Sequence, residues 1–294
     1  HLAYILAGLK EGDEVITPVF TCTATTIPFL YMGVKFRFAE VDPETLNINV
    51  QHVRELVNEK TKAIVCVPYG GLPCDMDELQ AIAKEYNIPI IEDAAHALGA
   101  TYKGKKVGEI SDFTMFSFQA IKHITTGDGG MLIIQNRELM PKAERIRWFG
   151  IDRSNKQKGN WENDIWEVGY KYQMTDIGAA MGLAALHEFD QSLAHRQKLF
   201  QAYRKGLKGA SGIKLIGAEY TDRTHAAWLC TSIVEKRVDF MKNLRDHKIE
   251  SGQVHYRNDR YTVLGGRRDD LPNMDAIEDN YIVLPLHSHM TEDN

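Results

Sequence analysis

Long apolar runs are missing from this 294-residue chain, and so is any block of basic charge. No stretch approaches the roughly 20 consecutive apolar residues that a helix needs to cross a bilayer, and no signal peptide stands out. The sequence therefore predicts a soluble, cytoplasmic protein with no membrane partner. Lysine and arginine number 35 against 40 aspartates and glutamates, for a formal net charge of −5. Nucleic-acid binding leaves a basic footprint, and none is present. Cysteine is scarce: Cys22, Cys66, Cys74 and Cys230 form no C-x-x-C pair and no zinc spacing, so they predict reduced thiols and no metal site. Internal repeats and low-complexity tracts are absent as well, which sets aside solenoids.

What is present is material for a folded core. At 44% hydrophobic, the chain suits one large domain, residues 1–190, followed by a smaller α+β lobe, residues 191–294. Strand and helix patterns alternate. Strands are predicted at Glu14–Thr17, Val34–Phe38, Lys62–Val67 and Ile88–Ile91, with helices at Thr23–Tyr31, Val50–Asn58 and Met76–Tyr86, the last with Asp75 as N-cap. Such alternation means a mostly parallel sheet covered on both faces. Further on, helices are predicted at Arg137–Trp148, after Thr175 over DIGAAMGLAAL, and over Gln191–Leu207. Phe149–Val168 reads as a long polar loop carrying two tryptophans, of the kind often used for function or contact. Ala226–Val234, Val238–His247 and Tyr281–Leu286 supply the small lobe.

The chain is organised around SDFTMFSFQAIKHITTGDGGMLII, Ser111 to Ile134. Two apolar strands that read as buried, Phe113–Phe118 and Met131–Ile134, flank a glycine-rich connection that holds Lys122. A lysine between Ile121 and His123 is placed to be partly desolvated, which lowers its pKa and makes its amine a nucleophile. The alternative is a surface hairpin with a solvated lysine. Upstream, NIPIIEDAAHA is a short strand ending in Glu92 and Asp93. Ligands of open α/β sheets bind beyond the carboxyl ends of the strands, which is where Asp93 falls. A buried lysine and a carboxylate so placed are the pair that pyridoxal phosphate uses: the amine forms the Schiff base and the acid keeps the ring nitrogen protonated. The alternative for Asp93 is an N-cap for a following helix.

IIEDAAHALGATYKGKKVG followed by FSFQAIKHITTGDGGML resembles the DegT/DnrJ/EryC1/StrS family of pyridoxal-phosphate-dependent sugar aminotransferases. The likeness extends to GDEVITPVFTCTAT, FAEVDPETLNI, VPYGGLPCDMDEL, GYKYQMTDIGAAMGL and LPLHSHMTE. It implies an aspartate-aminotransferase-like fold (fold type I) with a mostly parallel central sheet, pyridoxal 5'-phosphate as cofactor, and Lys122 as the catalytic residue through an internal aldimine. It also implies amino transfer from an amino acid, L-glutamate, to a nucleotide-linked keto sugar by a homodimer, for a surface polysaccharide or a secondary metabolite. Asp93 would hold the cofactor ring nitrogen, and His96 would lie beside the ring or be a core histidine. Ser117 would donate to the cofactor phosphate or be an unoccupied strand-end serine. Cys22 stands where many relatives place an aromatic ring over the cofactor, a departure that weakens stacking there. Lys171 stands where relatives often have an asparagine reaching the phosphate from the partner subunit, or is simply solvated. His255, Tyr256 and Arg257 are further candidates to face substrate from the small lobe. The resemblance also places a phosphate-binding Gly-Thr/Ser-Ala turn ahead of His1, so the chain reads as a fragment.

Three other readings compete. A dehydratase of the same family would carry histidine where this chain has Lys122. A relative acting on amino acids would share the lysine and the aspartate but not the GDEVI, GLPCDM and TTGDGGM segments. A non-catalytic regulatory member would share the fold without the chemistry.

Overall fold

The computed structural model describes residues 1–159, 162 and 164–292. Six strands form the main sheet: β1 (Glu14–Pro18), β2 (Lys35–Ala39), β3 (Thr61–Cys66), β4 (Ile90–Asp93), β5 (Phe113–Ser117) and β6 (Gly130–Ile134). Their order is β2-β1-β3-β4-β5-β6, and every pairing is parallel except β5 with β6. β1 and β3 are buried along nearly their whole length, because both faces of the sheet are covered. One cover is helix α1 (Thr23–Met32), and another is α2 (Met76–Tyr86), which turns Met76, Leu79, Ile82 and Ala83 into a core shared with Ile16, Ile64 and Ile90. The α/β class and the mostly parallel sheet expected from the alternating pattern are both present.

Helix α3 (Asp176–His187) begins as its sequence predicts, with the Thr175 hydroxyl accepting from the Gly178 N–H at 3.1 Å. Asp75 stands at the N-cap of α2 without capping it; its carboxylate accepts from Arg223 at 2.7 Å instead. The helix predicted over Arg137–Trp148 is broken into a 3-10 turn at Arg137–Leu139 and an α-helix at Met140–Ile146. Pro141 falls in the first turn of that α-helix, where its missing N–H costs little, whereas inside one continuous helix it would remove a backbone bond. Within Phe149–Val168 a short helix forms at Arg153–Gln157, and Trp161 lies outside the described residues.

Helix α4 (Phe189–Gly206) leads into a smaller antiparallel sheet of β7 (Ile213–Leu215), β8 (Cys230–Val234) and β9 (Tyr281–Leu284), in that order. α4 runs unbroken across residues 190 and 191, where the sequence suggested a domain boundary. The C-terminal part is also sewn to the main sheet's surroundings. Arg223–Thr224 pairs with Thr101–Tyr102, and Tyr256–Arg257 pairs with Phe20–Thr21. Strand β8 starts at Cys230 rather than Ala226, because residues 225–229 form a loop in which Ala227 takes a φ of 54°.

Arg257 is not a substrate-facing residue. Its guanidinium is fully buried and gives two 2.6 Å bonds to Asp259, a further bond to Asp275 and one of 3.4 Å to Glu278. A buried cation this well partnered ties the strand after His255 to the helix at Pro272–Glu278 and is structural. Among the described residues no helix is long and apolar enough to cross a membrane.

Candidate active site

Strand β4 delivers two neighbouring carboxylates to opposite sides of the sheet, as strand alternation requires. Glu92 is buried, with one oxygen accepting from Ser111 at 2.9 Å and the other without a partner, and burial pushes its pKa up to about 7. Asp93 is half-buried; one oxygen accepts from the Thr25 hydroxyl at 2.7 Å and the other from the Ala95 N–H at 3.2 Å. No helix follows Asp93, so its alternative role as an N-cap is not what the chain builds. Thr25 is itself held in the first turn of α1: its hydroxyl meets that of Thr21 at 3.0 Å, and its carbonyl accepts from Tyr4 at 2.8 Å.

Lys122 follows β5 in a tight turn, its N–H donating to the Gln119 carbonyl at 2.9 Å. Its ammonium lies 3.6 Å from the ring centroid of Trp228. Burial lowers its pKa to about 8, against the opposing pull of Asp93 and of Cys22. The lysine is therefore turned inward and is no solvated hairpin residue. The second flanking strand, expected to be buried, is not: no residue of β6 is buried, and Met131 is 53% exposed. Cys22 is half-buried at the N-cap of α1.

His96 is buried and placed within the same cluster. Its Nδ1 accepts from the Gly70 N–H at 3.3 Å, which assigns the ring proton to Nε2; that nitrogen faces His255 Nε2 at 3.2 Å. Both imidazoles are neutral at pH 7. Burial and then the Lys122 charge push His96 well below the usual histidine range and His255 down to about 4. His96 lies parallel to the Trp228 ring at 3.9 Å and to His255 at 5.1 Å. His255 occupies the left-handed region at φ 68°, with its carbonyl accepting from the Tyr281 hydroxyl at 2.5 Å. Of the three small-lobe candidates, His255 joins the cluster. Tyr256 stays partly exposed under Arg260, and Arg257 is buried among carboxylates.

Trp228 is the residue that sequence reasoning missed. A tryptophan in HAAWL reads as core, and nothing local links it to Lys122. Its loop is clamped from two sides. The Gly70 carbonyl accepts from the N–H groups of Trp228 and Leu229, and the Gly71 carbonyl from that of Ala226 at 2.8 Å. From α4, Arg196 donates to the carbonyls of Ala227 and Trp228, both at 2.9 Å, and to that of Leu286 at 3.0 Å. Gly71 has a φ of 109°, and a Cβ there would lie 2.9 Å from the His96 carbonyl oxygen and 3.0 Å from the Ala226 Cβ. Only glycine lets the backbone run so close to both.

Ser117 ends β5, its hydroxyl accepting from the Gln119 N–H at 3.3 Å. Lys171 lies outside the cluster: it is exposed, bridged to Trp148, with its ammonium 3.6 Å from that indole's centroid. Chemically the cluster offers one desolvated amine, one carboxylate held by hydroxyl and backbone donors, and a neutral imidazole pair. Among the described residues no group of three or more His, Cys, Asp or Glu is arranged to hold a metal.

Comparison with known proteins gives a consistent result. The profile described as the DegT/DnrJ/EryC1/StrS aminotransferase family matches residues 1–294. The chain is similar to GDP-perosamine synthase of Escherichia coli O157:H7, with 35% identity across 87% of this chain and 69% of the relative. Among solved structures it is similar to the sugar aminotransferase CalS13 from Micromonospora echinospora, with a TM-score of 0.93 and 32% identity over 100% of this chain and 81% of that one. Spr1654 from Streptococcus pneumoniae in its PLP form matches with a TM-score of 0.89 and 30% identity, over 99% and 80% of the two chains.

The burial of Lys122 has a direct readout. In cofactor-free protein, competitive labelling with acetic anhydride, resolved by peptide mass, should show Lys122 gaining reactivity through pH about 8 and then levelling off. A profile still climbing above an ordinary lysine pKa of roughly 10.4 would mean a solvated amine. The stability linkage has the matching sign. The unfolded chain holds this proton more tightly, so this group's contribution to stability rises from pH about 8 up to the ordinary lysine value of 10.5.

Proposed function

The chain belongs to the DegT/DnrJ/EryC1/StrS aminotransferase family, and from that premise we propose that it moves an amino group from an amino acid, L-glutamate, to a keto sugar carried on a nucleotide. The family's enzymes have fold type I and depend on pyridoxal 5'-phosphate, and this chain shares both the fold and the dependence. The observation that carries the proposal is the inward-facing Lys122 amine in the electrostatic reach of Asp93, beyond the carboxyl ends of parallel strands. The nucleotide-linked substrate is supported by the likeness to GDP-perosamine synthase. Lys122 also speaks against the dehydratase reading, which needs histidine at that position.

The donor set fits the cofactor. When bound, pyridoxal phosphate supplies an electron sink. Lys122 would hold it covalently, and Asp93 would keep its ring nitrogen protonated while Thr25 and Ala95 fix the carboxylate. His96, with its proton on Nε2, presents a neutral donor, and Ser117 at the end of β5 would serve the phosphate. An amine with a pKa of about 8 is partly unprotonated near neutral pH, so Lys122 when free can take a proton from a donor's α-carbon and return it.

We further assign the active unit as a cytoplasmic homodimer with Lys171 acting on the partner's phosphate site. Helix α3 supports this: Ile177, Met181, Leu183 and Leu186 are exposed by 78%, 44%, 69% and 55%, and nearby Val168 is 77% exposed. An apolar helix surface of this extent marks a contact surface. We retain a large cofactor-binding domain ending near residue 190 and a small lobe after it, with α4 as their shared strut.

Three measurements test these assignments. Incubation with pyridoxal phosphate and reduction with borohydride should add a pyridoxyl group to the Lys122 peptide, and Lys122→Ala should abolish that addition; an adduct surviving in the variant means another lysine is the carrier. Asp93→Asn should still form the adduct, yet turn over several powers of ten more slowly, about 3–6 kcal/mol in barrier. Near-normal turnover would reduce Asp93 to closing a turn. Finally, Lys122→Ala and Lys171→Ala proteins, each shown to be impaired, should recover part of the activity when mixed. Co-purification of differently tagged chains without recovery would exclude a site shared through Lys171.

A further inference from the structure

Building on the assignment of Lys122, we propose that Trp228 is a positioning residue for the catalytic amine. Its indole, delivered by the loop before β8, pins the backbone of the lysine turn and gives the uncombined Lys122 ammonium a fixed resting face.

Two contacts of one side chain meet on the lysine turn, and a third joins the same side chain to His96. The indole Nε1–H donates to the carbonyl of Ile121, the residue directly before Lys122, at 3.1 Å. The ring takes the Lys122 ammonium at 3.6 Å from its centroid. His96 lies parallel to the same indole at 3.9 Å, so the groups assigned to the amine and to the cofactor ring share one reference surface. A tryptophan that merely filled the core would satisfy its N–H with any acceptor and would not select the cation of the adjoining residue. The indole is only 5% exposed, and its own backbone is locked by Gly70 and Arg196, so it imposes geometry on the turn rather than following it.

A lysine that alternates between bonded and free states needs somewhere to wait. An unbranched four-carbon chain has many rotamers, and each misplaced one delays its return to the reacting carbon. The π face of the indole attracts the ammonium and loses that attraction when the amine is neutral. It thus acts against the desolvation of Lys122, alongside Asp93 and Cys22, while His96, His255 and His123 face the same amine without charge. Trp228 thereby sets both where the free amine sits and how readily it gives up its proton.

Fluorination separates the ring's electrostatics from its shape. Tryptophan analogues carrying one to four ring fluorines, placed at position 228 of the full chain by nonsense suppression, keep the volume and the N–H but progressively remove the negative π face. In cofactor-free protein, the Lys122 pKa followed by NMR of ε-13C-lysine should fall stepwise across the series, by roughly 0.4 to 1.5 units in all. A flat series overturns the proposal. In Trp228→Phe, which keeps a ring and loses the N–H, the Lys122 amide should exchange with solvent at least tenfold faster while the side-chain pKa stays nearer to wild type than in Trp228→Leu. Unchanged exchange overturns the anchoring role, and equal pKa values in the Phe and Leu variants overturn the resting face. These readouts use no cofactor and no turnover. Absence of the borohydride adduct would therefore refute Lys122 as carrier without moving this titration.

Discussion

Everything in the site depends on keeping one ammonium largely out of water. Desolvation of a cation is costly, and in isolation the group would simply lose its charge or swing outward. Lys122 does neither, because Asp93 and the indole face partly replace the solvent it has given up. The balance leaves an amine whose charge is held loosely. A base that must take and return protons near neutrality needs that looseness, which a surface lysine lacks.

The supports of that amine are mostly backbone groups. Gly70 and Gly71 contribute carbonyls to the Trp228 loop and an N–H to His96, while Arg196 spends its guanidinium on carbonyl oxygens rather than on a carboxylate. Carbonyls and amides carry no net charge, so they can fix a loop next to a titrating group without adding a second titration. The histidines serve the same economy: buried and neutral, they offer hydrogen bonds beside Lys122 without competing for its proton.

Features written in consecutive residues were legible in the sequence. Lys122 in its glycine-bearing turn, Asp93 at a strand end, the α2 pattern and the Thr175 cap each depend on neighbours a few positions away. What escaped depends on distant partners. Trp228 means nothing until its loop meets Gly70, and Arg257 looked like a substrate ligand until Asp259 and Asp275 enclosed it. His255 was named for its residue type, but its pairing with His96 spans 159 positions and has no local trace. The burial of Met131–Ile134 was misjudged because β6 is the last strand of the sheet, and edge position has no trace in an apolar run.

The short strand pairings that sew the C-terminal part to the beginning of the chain bear on how the molecule is made. Tyr256–Arg257 must find Phe20–Thr21, and the Asn258 amide must reach the Thr21 carbonyl, 237 positions away. Contacts of such sequence separation form late and slow a folding reaction, since the loop they close must be ordered first. During synthesis the strand that ends in Asp93 and the turn that carries Lys122 leave the ribosome well before Trp228 and His255 do. The nascent chain therefore exposes a half-built cleft, with its amine still in water, until the last third of the polypeptide arrives to close it.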